Sequence, residues 1–99
     1  MSEHDWHTAL RMPADHPCLP GHFPGRPLVP GVWLLEQVAQ ALLAWRGERL
    51  ARIVEAKFVA PLRPDETADL VLAERDGRLR FEISRDGIPL ARGMIEGAP

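Results

Sequence analysis

The run "GVWLLEQVAQALLAWRGERL", Gly31 to Leu50, limits the possible folds more than any other stretch of the chain. Pro30 suits a first helical turn and Gly47 suits a C-terminal stop, so the spacing predicts a helix over about 31–47. Val32, Trp33, Leu34, Leu35, Val38, Ala39, Ala41, Leu42, Leu43, Ala44 and Trp45 point in nearly every direction around its axis. A helix that is apolar all round is a buried one, so the rest of the chain has to wrap it.

The segments after the helix are suited to that task. "ARIVEAKFVAPL", "TADLVLAERDG", "RLRFEISRDG" and "IPLARGMIEG" alternate apolar and polar residues, with Asp76-Gly77 and Asp86-Gly87 between them as two-residue hairpin turns. They predict strands at about 51–60, 67–75, 78–85 and 88–97, and "DWHTALRM" predicts a further one at about 5–12. Between that first strand and the helix stand Pro13, Pro17, Pro20, Pro24, Pro27 and Pro30, too many for a helix or a central strand. This stretch is a loop, and a stiff one, because each proline fixes its own φ and biases the residue before it toward extended backbone. The expected class is α+β, a curved antiparallel sheet around one long central helix, in a single domain over 1–99.

With 99 residues a lone subunit is marginal, and a dimer sharing a core is the expected state. The start "MSEHDWHTALRM" lacks the basic and apolar regions of a signal peptide, and no apolar run is long enough to span a bilayer, so a cytoplasmic location without membrane contact is expected. A single cysteine, Cys18, excludes an internal disulfide. A net charge of -2 with scattered Lys and Arg offers nothing to nucleic acid. His16, Cys18 and His22 match no standard zinc spacing, and no metal or organic cofactor is expected.

Two residues stand out chemically. Glu36 lies in the second turn of the apolar helix, with Gln40 one turn further along the same face. Burial there would favour the protonated carboxyl, a ready proton donor, whereas on a partly exposed helix Glu36 would simply face water. His22 sits in the stiff loop, where a neutral imidazole is a natural general base. The helix start between them presents free N–H groups able to polarise an oxygen. A base, an electrophilic site and an acid are thus close in sequence.

"GHFPGRPLVPGVWLLEQVAQA" closely resembles the signature of the FabZ-type β-hydroxyacyl-[acyl-carrier-protein] dehydratases of the hotdog-fold superfamily. That pattern runs G-H-F-P-G-[KR]-P, P-G-V, then L-E-x-x-A-Q, and "EAKFVAPLRPDE" is similar to the family's following strand and turn. The resemblance covers about Gly21 to Glu66 and implies a hotdog fold. It implies dehydration of a (3R)-3-hydroxyacyl thioester to the trans-2-enoyl thioester, in fatty-acid or polyketide/aryl-polyene-type biosynthesis. His22 becomes the catalytic base and Glu36 the catalytic acid, working across a dimer interface, while Gly31 offers its N–H to the thioester carbonyl. Phe23, Val32, Trp33 and Gln40 complete the implied substrate site. The implied partners are acyl carrier protein and a second subunit, in a homodimer, a higher homo-oligomer or a hetero-oligomer with another hotdog protein. Arg26, Arg46, Arg49, Lys57 and Arg63 are candidates for docking the acidic carrier. The family generally carries a further leader, so a shorter or more open acyl tunnel is expected, and a chain without tyrosine has no tyrosine gate. A non-catalytic hotdog subunit and an acyl thioesterase are the competing readings.

Overall fold

The computed structural model describes residues 5–15 and 28–99. Strand β1 (Trp6–Leu10) precedes helix α1 (Gly31–Arg46), and four strands follow: β2 (Arg49–Phe58), β3 (Ala68–Arg75), β4 (Arg78–Arg85) and β5 (Ile88–Ala98). All pairings are antiparallel, in one curved sheet of order β1-β3-β4-β5-β2. The two Asp-Gly pairs make the β3–β4 and β4–β5 turns. Asp76, Gly77, Asp86 and Gly87 all have positive φ, the type I′ geometry that matches strand twist and that Asp-Gly favours.

Alternation along the strands decides which face of the sheet meets the helix. Leu79, Phe81 and Ile83 of β4 are buried and sit opposite Ile95, Gly93 and Ala91 of β5, while Arg80 and Glu82 face outward. From the helix only Leu34, Val38, Ala41 and Leu42 are buried, a stripe at helical spacing that packs on Leu70, Leu72, Phe81 and Ile83 in one core cluster. At its end Gly47 adopts the left-handed conformation, and its N–H donates to the Leu43 carbonyl at 2.8 Å.

The expectation of a helix buried on every side is corrected here. One five-stranded sheet, even curved, covers only one side of a cylinder, so Val32 and Leu43 stay 67% and 58% exposed. Long strand β2 forms the sheet edge beside the helix, and Ile53, Val54, Phe58 and neighbouring Val59 are also exposed. At the other edge, the Asp5 carboxylate accepts two hydrogen bonds from the Arg75 guanidinium at 3.1 Å, tying the start of β1 to the end of β3. That hydrogen bonding, and then the charge of Asp5, raise the Arg75 guanidinium above its ordinary range, so it stays protonated at any working pH.

Candidate active site

Glu36 stands on the open face of α1. Val32, Glu36, Gln40 and Leu43 follow one another at i, i+4, i+8 and i+11, and all four are exposed, so Glu36 stands between Val32 and Gln40 on an uncovered face. The buried setting expected for Glu36 is therefore not provided by the described residues of one chain. Trp33, a turn position away, is partly buried and packs against the core. Trp45 does likewise, with the Arg46 guanidinium 5.1 Å from its ring centroid.

The helix begins without a capping side chain. Pro30 is extended (φ -64, ψ 142), and the first turn holds no acidic residue. The Pro30 carbonyl accepts from Trp33 N at 3.1 Å and from Leu34 N at 3.3 Å. The amides of Gly31 and Val32, at the positive end of the helix, thus have no acceptor within it. Glu36 is five residues on, about 7.5 Å along the axis, and helical side chains lean back toward the N-terminus.

Gly31 itself is closely covered. A Cβ at this position would lie 3.1, 3.3 and 3.4 Å from Cζ, Cε1 and Cε2 of Phe58. Sequence reasoning did not single out Phe58, although its signal was there in "EAKF", at the end of the strand that follows the helix.

His22 and Phe23 lie outside the described residues, as do His16, Cys18 and Arg26. Both approaches to that stretch are held by the turn after β2. Val29 N donates to the Leu62 carbonyl at 2.8 Å, and Asp65 N donates to the Met12 carbonyl at 2.8 Å. The Asp65 carboxylate also accepts from Arg11 at 2.7 Å and from Ala14 N at 3.2 Å. This clamp explains a positive φ at a non-glycine residue, Asp65, since the local backbone cost is offset by three bonds.

The proposed docking cations separate by position. Arg46 is at the far end of the helix and bonded to Glu48 (3.1 Å) and Glu74 (3.4 Å), and the Arg49 side chain reaches the Pro99 carbonyl at 3.5 Å. Lys57 precedes Phe58 in β2 and lies on the outer face of the sheet, its Nζ 3.7 Å from Glu55, and Arg63 follows Leu62, whose carbonyl accepts from Val29 N. Hollows open among the described residues away from the helix start. One, of about 680 Å³, lies by Arg46, Glu48 and Glu74, and another, of about 520 Å³, lies on the outer face by Lys57, Arg80 and Arg92. Neither is lined by Gly31 or Glu36.

A family model described as ApeI dehydratase matches residues 1–93. The chain belongs to the ApeI-like dehydratases. It is 38% identical to the 3-hydroxyacyl-[acyl-carrier-protein] dehydratase FabZ of Haemophilus influenzae strain PittEE, over 94% of this chain and 70% of that protein. It is 37% identical to the FabZ of Histophilus somni strain 2336, over 80% of this chain and 62% of that protein. Among solved structures it is similar to the dehydratase heterocomplex ApeI:P from Xenorhabdus doucetiae, with a TM-score of 0.83 and 25% identity, covering 99% of this chain and 90% of that one. An uncharacterised protein from Erwinia carotovora subsp. atroseptica aligns with a TM-score of 0.80 and 29% identity, covering 96% and 83% of the two chains. The ApeI-like chain is thus a dehydratase with the hotdog fold.

Proposed function

We propose that this ApeI-like dehydratase removes water from a (3R)-3-hydroxyacyl thioester carried on acyl carrier protein and releases the trans-2-enoyl thioester. The observation that carries the reading is the placement of Glu36 on an uncovered helix face beside exposed Val32, one to two turns from the amides of Gly31 and Val32, which have no acceptor among the described residues. The thioester carbonyl accepts a hydrogen bond from Gly31 N–H, which stabilises the negative charge that grows on this oxygen as the α-proton leaves. His22 takes that proton, the C–O bond at C3 breaks, and Glu36 delivers its proton to the departing hydroxyl, so that water leaves and the electron pair forms the C2–C3 double bond. Val32 and Gln40 flank the carboxylate, Trp33 backs the helix from the core side, and Phe23 neighbours His22 in sequence. The fatty-acid and polyketide-type pathways both use this reaction.

The site calls for a second subunit, because Glu36 needs a cover that excludes water. We assign that cover to the face formed by Val32, Leu43 and the edge of β2. The edge is ten residues long and, among the described residues, is paired on one side only, to β5. Antiparallel pairing of two β2 strands about an axis between Ile53 and Val54 sets Arg52 of each copy opposite Glu55 of the other, with Ala51 opposite Ala56. Moving the axis half a residue onto Ile53 sets Arg49 against Lys57, which like charges disfavour. A hetero-oligomer is the second reading, supported by the similar Xenorhabdus doucetiae structure, which is titled a heterocomplex. Lys57 and Arg63 are the assigned docking cations for the acidic carrier.

The test is mass-spectrometric dehydration of a panel of short 3-hydroxyacyl-carrier-protein substrates by the wild type, His22→Ala and Glu36→Gln. Loss of one water that both substitutions reduce by about 10²–10⁴ supports the reading. Wild-type rates in both variants refute it. A variant series that loses turnover but still binds carrier also separates the enzyme from a binding subunit.

A further inference from the structure

Phe58 sits where a purely structural phenylalanine would not. It ends β2 opposite Ala91, a fully buried residue of β5, and the two residues after it are anchored, Val59 N and Ala60 N both donating to the Leu90 carbonyl at 2.8 and 3.2 Å. The backbone that carries the ring is therefore rigid. The ring nevertheless remains 50% exposed. Its far edge, Cζ with Cε1 and Cε2, fills the space that a side chain on residue 31 would occupy, at 3.1–3.4 Å from the Cβ position. The ring edge thus stands over Gly31 in the place of a side chain, and this packing restrains the residue whose amide no capping side chain holds.

We infer that Phe58 is a positioning residue of the dehydratase: its ring buttresses Gly31, aims the Gly31 N–H at the thioester carbonyl, and offers its exposed half as the apolar wall beside the bound thioester. The inference rests on the proposed role of the helix start in dehydration. It accounts for two features together. Glycine suits residue 31 because the ring edge takes the place of its side chain, and the half of the ring that one chain leaves open is available to the thioester. Nothing in this role moves a proton, so Phe58 acts on the geometry of the carbonyl while the acid–base groups keep their own titration.

The experiment combines kinetics with thermal unfolding on the full chain, with wild type and Glu36→Gln run alongside. Phe58→Ala releases the helix end, and since misplacing a reacting group by about 1 Å costs on the order of 10²-fold, kcat should fall by about 10- to 100-fold with a smaller change in KM. The pH profile of the remaining activity should keep its shape. Phe58→Leu, which retains part of the packing, should recover most of the rate. Phe58→Tyr should be as impaired as Phe58→Ala, because a hydroxyl on Cζ extends from the ring atom closest to Gly31. Gly31→Ala should lower the melting temperature, and Phe58→Ala added to it should restore part of that loss, since the methyl then has room. This coupling is read without any turnover. Wild-type kcat in folded Phe58→Ala, or full activity in Phe58→Tyr, overturns the inference while leaving the dehydratase reading intact. Absence of turnover in the wild type removes both. If Phe58→Ala fails to fold, Phe58→Leu and Phe58→Tyr decide, with a Tyr rate at or above the Leu rate counting against the buttress.

Discussion

Gly93→Ala is a small change with a large expected effect. Gly93 lies in β5 between Phe81 of β4 and Ala56 of β2. A Cβ there would run into the Glu55 carbonyl oxygen and would come within 2.6 and 2.9 Å of two Phe81 ring atoms, Cε2 and Cζ. Neither obstacle moves easily. The first is backbone, at a point where the β2–β5 register already shifts between Ile53 and Glu55, and the second is a ring only 2% exposed. Alanine lowers unfolded-state entropy, which returns about 0.5–1 kcal/mol, but forcing an extra carbon into a filled core costs about 1–3 kcal/mol and sometimes more. Because both neighbours are fixed, the upper part of that range applies, and the net loss is about 1–2 kcal/mol. For a domain of this size that lowers the melting temperature by roughly 5–15 °C. Differential scanning calorimetry at fixed protein concentration measures it. Gly97→Ala is the control, since its Cβ meets the Glu48 side chain, which can swing away. A Gly93→Ala melting temperature no lower than that of Gly97→Ala would refute the packing argument. The functional corollary is that pushing β2 away from β5 also displaces Phe58, so Gly93→Ala should lose turnover beyond its unfolded fraction.

Two further outcomes are expected. Leu42→Ala removes a fully buried side chain from the helix–sheet contact and should cost about 2–5 kcal/mol, read as a lower denaturation midpoint with unchanged slope. Arg52→Glu should raise the dissociation constant of the subunit pair in analytical ultracentrifugation by setting like charges opposite each other, and Arg52→Glu/Glu55→Arg should restore it. Failure of the double swap to recover association would reject the proposed strand register.

Much of the fold was legible because its signals are local. The helix expected at 31–47 is observed as Gly31–Arg46, with Gly47 ending it in the left-handed conformation. Asp76-Gly77 and Asp86-Gly87 announced their turns since only certain residues accept two positive φ angles in succession, and the turns in turn fixed the register of β3, β4 and β5. The strand after the helix was expected about two residues late, at 51–60 against Arg49–Phe58, because its exposed side chains show no clean alternation.

The site was legible only in part. The motif around His22 and Glu36 marked the family, and its relatives bear out a dehydratase. The surroundings of Glu36 stayed open between burial and water. Periodicity counts how many directions a helix presents as apolar, but it does not say whether the same chain covers them, and here the sheet reaches Leu34, Val38, Ala41 and Leu42 while Val32 and Leu43 remain open. Arg46 likewise read as a docking candidate until its partners Glu48 and Glu74, the latter distant in sequence, were seen to occupy it.

The sequence by itself thus determined the elements, their turns and the family motif that carries Glu36, all of which depend on neighbouring residues or on a motif at fixed spacing. Only the tertiary structure decided which face of the helix stays open, which strand becomes the free edge, and that the ring of Phe58 occupies the side-chain space of Gly31. These depend on contacts between residues far apart in the chain, where distance in space is set by how a twisted sheet curves around a cylinder rather than by any local preference.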